Sequence, residues 1–302
     1  MWYYNTVKIE ASLRRPTATA KERRMTRTIP LPPLLPTRAN GVLTITLNRT
    51  EARNALSESL MRALQLTLDE AVDDVSVKVI VIAAKGPAFS SGHDLKEMNA
   101  HRDDPDRGLA YYRGVFAQCS HLMLSIANHP KPVIAQVHAV ATAAGCQLVA
   151  SCDLAVASSD ARFATPGVNI GLFCSTPMVA LSRVVPRKAA MEMLLTGEAV
   201  SAEEAKRLGL VNRVVAPADL EKETQALARF IAAKPARTLR WGKQAFQHQL
   251  ELGLSNAYDY VGEVMVQNML HAEAAEGIGA FLDKRPPKWP EDRCPIPIIP
   301  TR

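Results

Sequence analysis

The hydrophobic pattern of this chain alternates between strand-like and helix-like segments. Apolar runs predict strands at Gly41–Asn48, Val77–Ala83 and Val133–Val137. Apolar residues with helical spacing predict helices over 56–72, His93–Met98 and Gly108–Asn128, and the stretch 86–92 between them is predicted to be a loop. This alternation predicts an α/β fold in which ligands bind to the loops at strand ends.

The last third of the chain has a helical pattern throughout. Helices are predicted at Ala202–Leu208, Pro217–Ala233, Ala236–Leu252 and Ser255–Leu282. Their apolar faces are expected to pack on a partner surface. We therefore divide the chain into a basic, proline-rich and irregular extension (1–37), an α/β core (38–230), a helical region (231–288) and an irregular tail (289–302).

Composition permits one large folded domain with an appendage, and it argues against a membrane-spanning protein and against a nucleic-acid-binding protein. The chain has 302 residues, 47% of them hydrophobic, but it has no uninterrupted apolar run of membrane-spanning length. Its net charge of +6 suggests nucleic acid as a partner. Residues 1–24 carry six basic and two acidic residues and so supply most of that charge, which argues against a phosphate-binding surface on the folded domain.

The basic start of the chain leaves two alternatives open. An Arg-rich and acid-poor segment is typical of mitochondrial targeting, which predicts the mitochondrial matrix. Alternatively, translation starts at Met25. If the source is bacterial, the protein is then expected in the cytoplasm. Five cysteines without metal-ligand spacing predict small buried thiols and a reducing compartment.

The stretch from Pro132 to Pro177 carries most of the candidate chemistry. A buried apolar run leads into the small-residue cluster 139–145, where short side chains allow a ligand to approach the backbone. A helix is predicted to begin near Gly145, so free amide N–H groups should point out of its first turn. Such a turn can stabilise developing negative charge.

Six motifs in this order resemble the crotonase (enoyl-CoA hydratase/isomerase) superfamily. The resemblance covers about residues 40–288 and is carried by Phe89–Met98, Ala141–Asp153, Phe163–Gly171, Glu192–Gly197, Ser201–Val211 and Glu276–Lys284. It implies a spiral of repeated ββα units with a C-terminal helical trimerisation region. It also implies homotrimers or dimers of trimers that act on acyl-CoA thioesters, with no bound cofactor other than the coenzyme A of the substrate. The lack of a membrane-spanning apolar run separately predicts that no membrane is a partner.

The resemblance implies that two backbone N–H groups, those of His93 and Ala144, stabilise an enolate-like thioester oxygen. It also implies CoA contacts from one group of residues near two loops and from a second group near the C-terminus, often in another subunit. The first group is Ala52, Ala55, Ser91, Asp94, Leu95 and Lys96, and the second is Phe281 and Lys284. For Lys96 the alternative is a solvated cation, and for Phe281 it is a core position.

Two residues depart from the pattern of family members that hydrate a double bond. Those enzymes use two glutamates as base and acid, and this chain has Gln147 and Gly167 at the two positions. Gln147 can still hold a water or a polar substrate group, or it can make structural hydrogen bonds within its helix. Substitute acid or base groups are His93, Asp94, Glu97 and Asn169, although an aspartate at position 94 can equally cap a helix.

Three functions from different classes follow. The first is an acyl-CoA enzyme of the hydratase/isomerase type that stabilises a thioester enolate. The second is an acyl-CoA-binding protein with little hydratase activity, which the loss of both glutamates favours. The third is an RNA-binding relative, and the concentration of basic charge in residues 1–24 makes it the weakest of the three.

Overall fold

A computed structural model describes residues 32–290 of this chain. The predictions for residues 1–24, the alternative start at Met25, Cys294 and most of the tail lie outside the described residues. Within them, two sheets and a series of helices form the predicted α/β fold.

Strands of the described part of the chain form a larger and a smaller sheet. The larger sheet has the order β1 (Leu34–Ala39), β2 (Val42–Leu47), β3 (Val79–Ala84), β5 (Val133–Val137), β7 (Leu154–Ser158) and β10 (Arg213–Val215). The smaller sheet has the order β4 (Ala88–Ser90), β6 (Val140–Thr142), β8 (Arg162–Ala164) and β9 (Val200–Ser201). All neighbouring strands pair in parallel except β1 with β2 and β8 with β9.

Helices connect and cover these sheets. They are α1 (Glu58–Asp73), α2 (Leu95–Ala100), α3 (Leu109–Ala127), α4 (Ala144–Ser151), α5 (Ser175–Val184), α6 (Arg187–Thr196), α7 (Ala202–Leu208), α8 (Leu220–Ala232), α9 (Ala236–Gln249), α10 (Leu254–Leu270) and α11 (Ala272–Leu282). Short 3-10 turns occur at Thr50–Ala52, Pro166–Ile170 and Pro217–Asp219. No helix of the described chain combines the length and the apolar character that crossing a membrane requires.

The predicted ββα repeat is visible in the order of the elements. β3, β5 and β7 lie side by side in the larger sheet, and each is followed by a strand of the smaller sheet: β4, β6 or β8. A helix then leads to the next pair. The segments that follow β4, β6 and β8 therefore recur at one side of the two sheets, and His93, Ala144 and Gly167 lie in them.

The larger sheet is buried on both faces because its strands are apolar at successive positions. Ile80 and Ile82 of β3 pack into the main core with α1 and α3, whereas Val79 and Val81 of the same strand pack under α8. This is the pattern expected of a parallel interior strand. It explains why β3 has no polar residue.

The structure corrects the boundary of the predicted extension. Residues 34–37 are part of β1, so the prediction of an irregular segment up to Thr37 is wrong there. Pro36 is tolerated because β1 is an edge strand, where a missing N–H leaves no ladder bond unmade. The predicted core boundary at residue 230 falls inside α8, which packs on the larger sheet.

The helix predicted over Ser255–Leu282 is two helices that meet at His271. His271 has extended backbone geometry, and its Nδ1 accepts a hydrogen bond from the Glu273 amide, so it caps α11. The break allows Glu273 to be buried against the start of α9, where its carboxylate accepts hydrogen bonds from the amides of Arg237 and Thr238. This buried carboxylate at a helix N-terminus favours the two-helix arrangement.

Candidate functional site

Two loops meet at Gly92, one from the end of β4 and one from the end of β6. Gly92 has φ +92°, and a Cβ on it would lie 2.8 Å from the Cβ of Ala143 and 3.3 Å from the amide nitrogen of Ala144. Gly145 packs against the same loop, since a Cβ there would overlap the carbonyl oxygen of Ser90. Glycine at both positions therefore brings the backbones of the two loops into contact.

The amides of His93 and Ala144 lie on either side of this contact. Leu56 bridges the residues flanking His93: its amide donates to the Gly92 carbonyl at 2.7 Å, and its carbonyl accepts from the Asp94 amide at 3.4 Å. Ala144 is the first residue of α4. Within residues 32–290, neither the His93 nor the Ala144 amide donates a hydrogen bond, so both are available to a ligand.

Ala143 holds the start of α4 in a strained conformation. Its φ of 50° and ψ of −120° belong to a region that residues other than glycine rarely occupy. Its amide donates to the Ala164 carbonyl at 2.9 Å, and its carbonyl accepts from the Gln147 amide at 3.0 Å. These bonds fix a geometry that costs on the order of 1–3 kcal/mol, which is typical of a functional site.

The side chain of His93 is enclosed. Its ring lies edge-on to Phe116 with centroids 5.5 Å apart, and neither ring nitrogen has a hydrogen-bond partner of ordinary geometry among the described residues. Burial lowers the pKa of His93, and the nearby Leu56 carbonyl offsets only part of that effect. The imidazole is therefore neutral at physiological pH.

Gln147 in α4 and Thr165 after β8 are two buried polar residues. Gln147 is 5% exposed and Thr165 is fully buried. Gln147 Oε1 and Thr165 Oγ1 have no hydrogen-bond partner in the described part of the chain. The side-chain Oε1 of Gln147 therefore makes no structural hydrogen bond there, whereas the Gln147 backbone carbonyl accepts one from the Ser151 hydroxyl at 2.8 Å.

Gly167 has no space for a side chain. A Cβ at this position would overlap the carbonyl oxygen of Leu172 and lie 2.9 Å from the Sγ of Cys174. The Gly167 amide donates to that Sγ at 3.3 Å, and its carbonyl accepts from the Leu172 amide at 2.9 Å. The 167–174 loop is therefore packed in a way that leaves no room for a carboxylate side chain at position 167.

Three of the candidate acid and base residues either make other hydrogen bonds or are exposed: Asp94, Glu97 and Asn169. Asp94 accepts hydrogen bonds from the Lys96 and Glu97 amides as the N-cap of α2, and its Oδ2 lies 2.7 Å from Arg49 Nη2. Burial acts to raise the pKa of Asp94, but the Arg49 guanidinium and these amides lower it overall. Glu97 accepts from the Glu58 amide at 3.1 Å, and the side chain of Asn169 is exposed beside Gly197.

The first group of predicted CoA contacts lies in two loops that are bonded to each other. Ala52 and Ala55 belong to the loop before α1, and the Ser91 amide donates to the carbonyl of Arg53 in that loop at 3.1 Å. Asn54 fastens the same loop through hydrogen bonds to the Lys85 and Ala88 carbonyls. Leu95 and Lys96 are exposed in the first turn of α2, directly after His93.

Phe281 and Lys284 lie apart from this group, at the end of α11. Phe281 is 81% exposed and Lys284 is also exposed. No hydrogen bond or ion pair within residues 32–290 joins them to the loops around Ala55 and Ser91. The core alternative for Phe281 is therefore wrong in the single chain.

The cysteine thiols Cys119 and Cys146 are buried in the core. Burial raises the pKa of Cys119 and Cys146 to about 12, which fits small core residues rather than nucleophiles. The described residues contain no cluster of metal-ligating side chains. A cavity between the end of α4, the start of β7 and the segment before β10 is lined by residues that include Cys152, Asp153 and Asn212 and by none of the candidate site residues.

Sequence reasoning did not identify Thr165 or Arg49. Thr165 could have been singled out as a hydroxyl at the end of a buried strand and before Pro166. No sequence signal marks Arg49, since its partner Asp94 lies far along the chain.

Comparisons with known proteins agree with these motifs. A family model described as enoyl-CoA hydratase/isomerase matches residues 37–292. The chain is 50% identical over 250 residues to human enoyl-CoA hydratase domain-containing protein 3, mitochondrial, covering 83% of this chain and 81% of the relative. It is 34% identical over 254 residues to a putative enoyl-CoA hydratase of Thermus thermophilus, covering 82% and 97%.

Solved structures give the same result. A crystal structure of enoyl-CoA hydratase from Mycobacterium smegmatis is similar with a TM-score of 0.82 and 54% identity, covering 85% of this chain and 99% of that one. The crystal structure of human enoyl-CoA hydratase domain-containing protein 3 is similar with a TM-score of 0.81 and 49% identity, covering 85% of this chain and 100% of that one. The resemblance inferred from the six motifs is confirmed.

Proposed function

Because this chain belongs to the enoyl-CoA hydratase/isomerase family, we propose that it binds acyl-CoA thioesters and stabilises their enolate through the His93 and Ala144 amides. The observation that supports this proposal is the contact at Gly92, which sets two free amides beside each other. A thioester oxygen between them would accept two hydrogen bonds. Negative charge developing on that oxygen is also favoured by the N-terminus of α4.

Two preorganised amides can supply a large part of catalysis. Removing one such donor typically costs about 2.7–4 kcal/mol of transition-state stabilisation. The strained Ala143 and its two hydrogen bonds hold the Ala144 amide in place before the ligand arrives. The site therefore needs little reorganisation as charge develops.

We further propose that ordinary hydration of crotonyl-CoA is slow. An amide at position 147 is not a base, and Gly167 leaves no room for a carboxylate. General acid and base groups contribute about 10²–10⁴-fold, so their loss lowers hydration without affecting thioester binding. Among the sequence candidates, His93 combines an enclosed side chain with ring nitrogens that have no hydrogen-bond partner in the described residues, whereas the Asn169 side chain is exposed.

The second candidate function is acyl-CoA binding with little or no turnover. The packing of Leu172 and Cys174 into the space of a side chain at Gly167 favours it. The third, RNA binding, has no support in the described residues, because the basic excess that suggested it lies in residues 1–24.

The same proposal assigns the residues that contact CoA and the way the subunits assemble. Ala52, Ala55, Ser91, Leu95 and Lys96 would contact the CoA of their own subunit, while the Asp94 carboxylate fixes the loop through Arg49. Phe281 and Lys284 would close over the CoA of another subunit in a homotrimer or a dimer of trimers. The exposed apolar residues of α10 and α11, among them Leu254, Tyr258 and Leu270, support this assembly.

The names of five similar vertebrate proteins carry the word mitochondrial. They support the mitochondrial alternative, with residues 1–24 as the targeting segment. If the source is bacterial, the proposed location is the cytoplasm.

Mixing the full-length protein with acetoacetyl-CoA tests the proposed enolate site, because the enolate of this ligand has its own ultraviolet absorbance. We expect the enolate band to rise with saturating protein and free CoA to compete it away. A protein that binds acetoacetyl-CoA without the band would contradict the proposed role of the two amides. Measuring the hydration of crotonyl-CoA by the same preparation distinguishes the first candidate function, an acyl-CoA enzyme, from the second, an acyl-CoA-binding protein with little or no turnover.

A further inference from the structure

The chain reverses its direction at the end of α11. The Arg285 amide donates to the Ala280 carbonyl at 3.0 Å, and the Lys284 amide donates to the Phe281 carbonyl at 3.2 Å. These two bonds form a Schellman motif whose left-handed residue is Lys284, with φ 54°. Glycine is the usual residue at such a position because it has no Cβ. The motif turns residues 285–289, here called the return segment, back along α11.

Glu276 of α11 fastens the return segment to the helix. Its carboxylate accepts two hydrogen bonds from the Arg285 guanidinium, Nη1 to Oε1 at 2.7 Å and Nη2 to Oε2 at 3.0 Å. The Lys288 amide donates to the same carboxylate at 2.6 Å. The Arg285 guanidinium and this amide lower the pKa of Glu276 to about 2, so the carboxylate stays charged at physiological pH. A bidentate pair of this kind fixes geometry as well as charge.

Trp289, the half-buried last member of the return segment, joins α11 to α8. Its Nε1 donates to the Ala233 carbonyl at 3.0 Å, directly after the end of α8. Its ring packs against Gly277 of α11, where a Cβ would lie 3.2 and 3.3 Å from two ring carbons. Carbonyl groups at a helix end lack partners within the helix, and the indole N–H supplies one. Because α8 packs on the larger sheet, Trp289 ties α11 to the α/β core.

The described residues give this end of α11 few other buried contacts. The buried residues of α11 are Glu273, which is bound to the start of α9, and Ala280. Phe281 and Leu282 in the last turn are 81% and 71% exposed. A helix end with little buried surface opens readily. The return segment therefore determines where Phe281 and Lys284 lie relative to the core of their own subunit.

Resting on the proposed function, we infer that Trp289 is a positioning residue, which together with Arg285 holds Phe281 and Lys284 where they contact the nucleotide part of CoA. The Lys284 ammonium attracts the phosphates of that part. A lysine held in a left-handed conformation fits a position whose side chain is used. Trp289 acts on affinity alone, because it orders the end of α11 before the ligand binds and is remote in the chain from the two proposed enolate donors.

Titration of the full-length protein with acetoacetyl-CoA and with acetoacetyl-pantetheine, which has the same thioester but no nucleotide, tests this assignment. We expect Trp289→Ala to weaken acetoacetyl-CoA binding about 10-fold, as when the competent form falls to about a tenth of the population. Binding of acetoacetyl-pantetheine should stay within about 2-fold of the wild type, because it does not need the end of α11. The enolate band at saturating ligand should not change.

The same substitution in a Phe281→Ala, Lys284→Gln background shows whether Trp289 acts through those two residues. There it should change acetoacetyl-CoA binding by no more than about 2-fold, because the groups that it positions are absent. If Trp289→Ala does not fold, Trp289→Phe takes its place. That variant keeps a ring over Gly277 but lacks the N–H, and we expect a loss of about 3-fold.

Three results would overturn the inference. They are wild-type affinity of the Trp289 variant for acetoacetyl-CoA, an equal loss of affinity for both thioesters, and an undiminished loss in the Phe281→Ala, Lys284→Gln background. Failure of the wild type to bind either thioester, or binding without the enolate band, overturns the proposed function instead.

Discussion

The amide of Gly167 donates a hydrogen bond to the Sγ of Cys174 at 3.3 Å. The thiol and the Leu172 carbonyl together fill the space in which a side chain at position 167 would begin. A carboxylate at this position therefore requires more than one substitution, because the 167–174 loop has to move.

The first prediction is that Gly167→Ala destabilises the protein. The new methyl group would overlap the Leu172 carbonyl oxygen, and overpacking of this kind typically costs about 1–3 kcal/mol. Gly114→Ala is the matched control, since its Cβ would meet no atom within 4 Å and it lies on an exposed face of α3. Urea unfolding should show a loss for the first variant and a gain of up to about 1 kcal/mol for the second. Equal stability of the Gly167 variant and the wild type would contradict the packing argument.

The second prediction concerns the contact at Gly92. Gly92→Ala introduces a Cβ at φ +92° that would press on Ala143 and the Ala144 amide, so the two amides can no longer converge. We expect the enolate band of bound acetoacetyl-CoA to disappear while free CoA, which has no thioester oxygen, binds within about 2-fold of the wild type. Loss of free CoA binding by the same factor would indicate a general collapse of the two loops instead.

The motif order predicts that His93 and Ala144 follow two tight loops near helix starts, and the structure brings these loops into contact at Gly92, whereas the role of the two amides stays a prediction. The consequence of Gly167 was not predictable, since it depends on Leu172 and Cys174, which the 3-10 turn 166–170 and Gly171 fold back onto position 167. The exposed position of Asn169, one of the candidate acid or base residues, likewise required the folded structure.

The fold was predictable where strands are long and apolar, and less so elsewhere. β4 and β6 were missed because each has only three residues within a small-residue segment that is typical of loops. The break between α10 and α11 was missed because histidine is not a helix breaker. His271 ends α10 through a tertiary interaction, the burial of Glu273 against the first turn of α9.

The third prediction is a loss of stability in mild acid through His129. Its Nε2 donates to the Leu68 carbonyl and its Nδ1 accepts from the Lys131 amide, so the buried ring is bound in its neutral form. Burial lowers the pKa of His129 from 6.5 to about 4. The unfolded chain then takes up a proton before the folded one does, and stability falls as the pH drops from 6.5 towards 4.

This contribution of His129 amounts to about 3 kcal/mol over that pH range. His129→Gln can keep an amide donor and an acceptor but does not titrate, so its free energy of unfolding should fall less steeply with acid than that of the wild type. Urea unfolding at a series of pH values measures both slopes. Identical slopes would show that His129 is protonated in the folded state as easily as in the unfolded chain.

The fourth prediction concerns the buried ion pair between Lys243 of α9 and Asp153 before β7. Lys243 Nζ lies 2.6 Å from Asp153 Oδ2, which also accepts from the Val133 amide at 2.7 Å. The ammonium donates to the Ile126 and Lys131 carbonyls as well, so this one group ties the helical region to the larger sheet. Burial lowers the pKa of Lys243 and raises that of Asp153, because each ion loses water that its partner replaces only in part.

Lys243→Met leaves Asp153 as a buried charge without its partner, and breaking such a pair typically costs about 3–5 kcal/mol. Asp153→Asn keeps an acceptor for the Val133 amide but leaves the ammonium uncompensated. The double variant with Lys243→Met and Asp153→Asn retains neither charge of the pair. Its loss in free energy of unfolding, measured with urea, should therefore be smaller than the sum of the two single losses by at least about 1 kcal/mol. Strict additivity would mean that the two groups stabilise the protein independently, and that the packing of α9 rather than the ion pair holds the helical region to the sheet.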